Sequence, residues 1–202
     1  MAKAKRKKQP FARRLRLAVG KNKGIPAANL VIPDGFEQYR QSGVPDHLLT
    51  KTSIGGQLWT ECSIYFENMV EAAKAEGIVF ANLGAYRSPK EVEALFLQRY
   101  SKKDEGRKPQ VTRTWKGETW YLKPGMAPAA SPERGSPHQW GVAIDLGSKV
   151  NGKIVPLTEK ARVWLCKNAP AYGFTLQSLP FLDNGKPNPE HEWWHWQWSD
   201  PS

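Results

Sequence analysis

The chain has 202 residues, of which 40% are hydrophobic and 24% charged, with two cysteines and a formal net charge of +11. That composition suits one globular domain with a real core; it excludes a disulfide-built scaffold, and no apolar run reaches the roughly 18 residues needed to cross a bilayer. The excess charge is concentrated at one end: residues 1–24 hold ten of the 30 basic residues and none of the 19 acidic ones, so residues 25–202 carry 20 against 19.

Residues 1–24 are therefore expected to form a basic N-terminal arm and residues 25–202 the folded domain. A like-charged stretch stays solvated unless an anionic partner takes it up, and that partner could be nucleic acid, an acidic wall polymer or an acidic surface on an assembly. Phe11, Leu15, Leu17 and Val19 interrupt the charges and could give a short docking helix. The opening residues lack the apolar stretch of a secretory signal, so the chain is expected to be made in the cytoplasm.

After a Pro-rich entry over 25–50, Leu58, Cys62, Tyr65, Phe66, Met69, Val70 and Ala73 recur at helical spacing up to Gly77, which predicts a core helix. IVFANLGAY (78–86) reads as a strand. RSPKEVEALFLQRY (87–100) reads as a helix, capped by Ser88 with Pro89 at its first position and Glu91 closing a capping box. Arg87 then sits on a strand-to-helix corner, facing a cleft. Residues 101–135 are rich in Lys, Gly, Pro and Ser and are expected to run over the surface above that cleft, with a hairpin turning at Lys116-Gly117.

WGVAIDLG (140–147) reads as a strand with GKIVPL (152–157) as its partner, followed by a helix ending before Pro170. In WWHWQW (193–198), alternation places Trp194, Trp196 and Trp198 on one face as a buried stripe, with Trp193, His195 and Gln197 on the other. Cys62 and Cys166 lie far apart in apolar segments and read as buried free thiols.

His191-Glu192-Trp193-Trp194-His195 spells H-E-x-x-H, a zinc signature when it lies on a helix, because residues four apart share a helix face. Such a site needs a third ligand, and Asp200 is the sole downstream candidate. A more complete set lies upstream. His138 precedes a strand, Asp145 lies on it, and with His195 they supply two imidazoles and a carboxylate, leaving one tetrahedral position open. Glu192 can serve as base for that site only if the chain bends between it and His195, because regular alternation puts the two on opposite faces. His47 and His191 read as ordinary surface or turn residues.

Ser136 through Asp145 matches S-x-H-x-x-G-x-A-x-D and Glu192 through His195 matches E-x-W-H. Together with AYRSPKE (85–91) upstream and AYGF (171–174) before the last strand, residues 58–198 resemble the zinc D-Ala-D-Ala carboxypeptidase and dipeptidase family (VanY-like), which also holds phage L-alanyl-D-glutamate endolysins. The resemblance implies an α+β fold, a small antiparallel sheet flanked by helices, of the hedgehog/D-Ala-D-Ala-peptidase type. It implies Zn2+ on His138, Asp145 and His195, Glu192 as base and then acid, and Arg87 on the substrate carbonyl and its developing oxyanion. Ser136, Tyr86 and Trp194 would contact substrate, Ser136 also supporting the ligand loop.

The implied activity is hydrolysis of the peptidoglycan stem peptide, as a D,D-carboxypeptidase releasing terminal D-Ala or as an L-alanyl-D-glutamate endopeptidase. A non-catalytic module of the same fold is a third reading. Many carboxypeptidase members carry Gln where this chain has Val92, which leaves carboxypeptidase or endopeptidase action open. An enzyme of the bacterial wall without a secretory signal needs another route there, such as a holin-type pore or carriage on a phage particle.

Overall fold

The computed structural model describes residues 25–27, 32–182 and 191–199, together with Asn22, Lys186 and Asn188. The rest of the proposed arm, and Asp200 of the helical zinc reading, lie outside the described residues.

The central sheet is built from β3 (Phe80–Gly84), β7 (Ala143–Val150), β8 (Lys153–Pro156), β9 (Phe174–Leu176) and β10 (His195–Trp198). Its order is β3-β7-β10-β9 with β8 also paired to β7, and every pairing is antiparallel. Alternation along β7 and β10 decides the two faces. Ile144, Leu146, Trp196 and Trp198 enter the core, while Asp145 and His195, directly opposite one another in the register, share the other face.

Two helices cover the apolar face. The main core helix, Thr60–Ala75, presents Cys62, Phe66, Met69, Val70 and Ala73 at the expected spacing, and the Phe66 and Phe174 rings meet edge to face at 5.8 Å. It follows two short antiparallel strands, β1 (Leu49–Lys51) and β2 (Gln57–Trp59), so Leu58 packs from a strand and not from the helix. The second helix, Glu159–Asn168, is capped by Thr158 and buries Ala161, Trp164 and Leu165, with Trp164 against Phe80. Cys62 is buried and Cys166 partly so; both are free thiols.

Residues 100–134 form more than a surface excursion. β4 (Tyr100–Ser101), β5 (Thr112–Trp115) and β6 (Glu118–Leu122) make a separate three-stranded sheet, ordered β4-β6-β5, with the expected turn at Lys116-Gly117. Phe96, Tyr100, Trp115 and Leu122 form a second small core beneath it. Phe96 comes from the helix Pro89–Arg99, whose Ser88–Glu91 capping box is present as the sequence predicts. Among the described residues no helix is long and apolar enough to cross a membrane.

Candidate metal centre and catalytic cleft

The site grows from the corner at Ala85–Arg87. A register shift between Asn82 and Gly84 ends the regular pairing of β3 with β7 and brings Gly84 opposite Asp145. A Cβ at Gly84 would lie 2.5 Å from an Arg87 nitrogen and 3.0 Å from Asp145 Oδ2, so glycine leaves room for these two side chains to meet. They form an ion pair, Arg87 Nη2 to Asp145 Oδ2 at 2.7 Å. The backbone N–H of Arg87 donates to the carbonyl of His138, and the ring Nδ1 of His138 lies 2.8 Å from the carbonyl of Ala85. One corner thus holds the histidine by its backbone and by its ring.

His138 rides a short 3-10 turn, Pro137–Trp140, opened by a capping box in which the Gln139 side-chain oxygen accepts from Ser136 N–H. Gly141 closes the turn at φ 66°, and its carbonyl accepts from Trp59 N–H at 2.8 Å. A Cβ there would lie 2.8 Å from that Trp59 nitrogen. Gly141→Ala therefore combines a left-handed backbone with a collision against main chain, and is expected to cost about 1–3 kcal/mol of stability. A thermal melt checks this, and an unchanged Tm would show that the turn yields freely.

Three ligand-type atoms converge. His195 Nδ1 is 3.1 Å from Asp145 Oδ1 and 3.1 Å from His138 Nε2, and His138 Nε2 is 3.3 Å from the same Oδ1. Ligands about 2.0–2.1 Å from a tetrahedral zinc are about 3.3 Å apart, so this triangle has the size of one face of such a site. With Nδ1–H of His138 donating to Ala85, the tautomer leaves Nε2 as the free lone pair, the usual outer-shell arrangement for a metal-binding imidazole. His195 Nε2 is buried with no hydrogen-bond partner, so the ring is held through the nitrogen that faces the cluster. The residues fit the ion.

Electrostatics agree. Burial alone would raise the Asp145 carboxyl, but the His138 and His195 rings beside it hold it well below the usual carboxylate range. Burial pushes His138 down, favouring the neutral ligand form against the pull of Asp145. Glu192 is pushed up, chiefly by burial.

The bend that Glu192 requires is present. Trp193 and Trp194 form a turn in which His195 N–H donates to the carbonyl of Glu192 at 3.2 Å, and the strand begins only at His195. Glu192 consequently lines the same cleft as the cluster, an opening of about 640 Å³ also bordered by Arg87, Ser136 and Trp194.

Two expectations change. Trp194 leaves the buried stripe because the turn interrupts alternation one residue early; it is 41% exposed, and only Trp196 and Trp198 enter the core. Tyr86, expected on the substrate, does not reach the cleft. Its ring packs against the main core and its hydroxyl accepts from Val44 N–H, because the corner sends residue 86 to the side opposite Arg87.

His191 also borders the cleft but stands outside the cluster, with Nδ1 2.7 Å from the Ser178 carbonyl and its ring against Trp193. The chain around it is not helical, so the H-E-x-x-H letters do not build a helical site. His47 is exposed and away from the cleft. Sequence reasoning missed three arginines on the cleft wall, Arg99, Arg113 and Arg134.

Residues 56–201 match the model of the family VanY, D-alanyl-D-alanine carboxypeptidase. Among solved structures, VanYB in complex with D-alanine-D-alanine is 19% identical, with 80% of this chain and 84% of that chain covered and a TM-score of 0.51. A mutant of the vancomycin-resistance D,D-pentapeptidase VanY in complex with Zn(II) is 16% identical over 79% of this chain and 84% of that one, with a TM-score of 0.48. The LD-carboxypeptidase LdcB is 24% identical over 88% and 71%, with a TM-score of 0.49. No curated protein matches the chain.

Proposed function

The chain belongs to the VanY family of D-alanyl-D-alanine carboxypeptidases and is a metallopeptidase of that type; from that premise we propose that it cleaves the peptidoglycan stem peptide and releases the terminal D-alanine. The observation that carries this reading is the convergence of His138 Nε2, Asp145 Oδ1 and His195 Nδ1 beside Glu192 in one open cleft.

In this reading the three atoms hold zinc, which when bound supplies a Lewis acid and brings the pKa of a water molecule to about 7. Glu192 takes the proton of the attacking water on its carboxylate and returns it to the leaving amine as the C–N bond breaks. Arg87 serves twice: its bond to Asp145 Oδ2 fixes the carboxylate with Oδ1 toward the imidazoles, and its guanidinium stabilises negative charge developing on the carbonyl oxygen. Ser136 supports the ligand turn, and Trp194 offers an exposed ring to the peptide. We assign residues 25–202 as the catalytic domain and residues 1–24 as an arm for an anionic partner, with carriage on a phage particle as a route to the wall; purified particles lacking the chain would remove that route.

One observation favours a second reading. Val92 is buried and lines the cleft where a polar glutamine side chain would otherwise contact substrate. An apolar residue there suits L-alanyl-D-glutamate endopeptidase action, in which no peptide terminus needs to be held. Mass spectrometry of a synthetic stem pentapeptide incubated with the zinc-loaded protein separates the two. Loss of one D-alanine supports the carboxypeptidase, cleavage after L-alanine the endopeptidase, and an intact peptide would argue for a non-catalytic module.

A further inference from the structure

The near neutrality of residues 25–202 hides a segregation of charge. Residues 99–134 hold nine basic and four acidic residues, leaving eleven basic against fifteen acidic in the remainder of that domain. The fold stands this basic segment against the cleft. Arg113 lies on β5 with the same facing as Trp115, whose ring fills the second core, while Thr112 and Thr114 face solvent. Arg134 belongs to the turn at Ser131–Gly135, immediately before the ligand turn. Arg99 ends the helix that carries Phe96.

The cleft's cations are not equivalent. Arg40 is paired with Glu37, and Arg87 with Asp145. Arg99 donates to the carbonyls of Ala127 and Pro128, and Arg113 to that of Thr112, contacts that satisfy donors without cancelling charge. The Arg134 side chain has no hydrogen bond or ion pair among the described residues, and none of these three arginines pairs with a carboxylate there. The cleft's carboxylates are Asp145, already engaged, and Glu192. Arg99 also feels the Glu192 carboxylate, which leaves Arg113 and Arg134 as guanidinium groups on a concave wall whose fields sum and whose forks match a carboxylate.

We propose that Arg113 and Arg134 form a second subsite that binds an internal carboxylate of the substrate peptide, away from the scissile bond. The protein then selects acidic stem peptides over those whose internal carboxylates are amidated. This rests on the reading of the cleft as a peptidase site, and the test separates the two.

Isothermal titration of the metal-free full chain would use a stem pentapeptide with free internal carboxylates and the same peptide with those groups as primary amides. The acidic peptide is expected to bind about ten- to a hundredfold more tightly, as for loss of a charge-assisted hydrogen bond. That preference is expected to fall below about threefold in the double variant Arg113→Gln, Arg134→Gln and to weaken with salt. Equal affinity of the wild type for both peptides, which needs no variant to fold, overturns the subsite. So does a preference that persists in the double variant, or tight binding of a glycerol phosphate polymer that ignores both peptides. Hydrolysis by the zinc-loaded enzyme is scored separately: failure to cleave either peptide sinks the peptidase reading while the binding preference stands.

Discussion

His138→Ala is expected to bind no stoichiometric zinc and to release no detectable D-alanine from a stem pentapeptide, whereas His191→Ala keeps its metal and stays within about threefold of wild type. His138 supplies one of three ligand-type atoms spaced like a tetrahedral face, so removing it would leave only two to hold the ion. Losing a Lewis acid restores several kcal/mol of barrier, on the order of a thousandfold or more in rate. His191 has a different job: it ties the loop before β10 to the Ser178 carbonyl, a contact worth about 1 kcal/mol. Metal analysis of both variants beside the activity assay makes the comparison decisive. Full zinc occupancy in the His138 variant, or loss of zinc on replacing His191, would return the site to the H-E-x-x-H pair.

The convergence of His138, Asp145 and His195 is legible in the sequence for a physical reason. A seven-residue spacing from a turn into a strand, and a histidine on a second strand, specify positions that antiparallel register can bring face to face, and His195 does lie opposite Asp145. The helices are legible because their apolar period and caps are local. What is not legible depends on where a period stops. Alternation in WWHWQW continues unbroken on paper, yet the structure turns at Trp193-Trp194, which exposes Trp194 and delivers Glu192 to the cleft. Tyr86 fails for the same reason, since its direction is set by the corner and by the Val44 backbone, not by its neighbours in sequence. The arginine wall is hidden differently: its charge averages away over the domain and becomes a surface only when the second core fixes the hairpin beside the cleft.

Glu192→Gln is expected to bind zinc and peptide as the wild type does while kcat falls by about 10²–10⁴, the range of a positioned general acid–base. The amide keeps the size of the side chain and its place after the turn, but it cannot accept the proton of water or hand one to the leaving amine. Burial raises the wild-type Glu192 carboxyl above its ordinary value, so the base is lost at a higher pH than for an exposed glutamate. The sign follows directly: kcat/KM should fall as pH drops through that raised value, because the carboxylate becomes protonated, and this acid limb should be missing from the residual activity of the variant. A pH profile of both proteins, with zinc content measured at each pH, separates loss of the base from loss of the metal. If the variant kept a tenth or more of wild-type kcat with the same acid limb, another group would be moving the proton, and the turn at Trp193-Trp194 would serve to shape the strand and not to place a base.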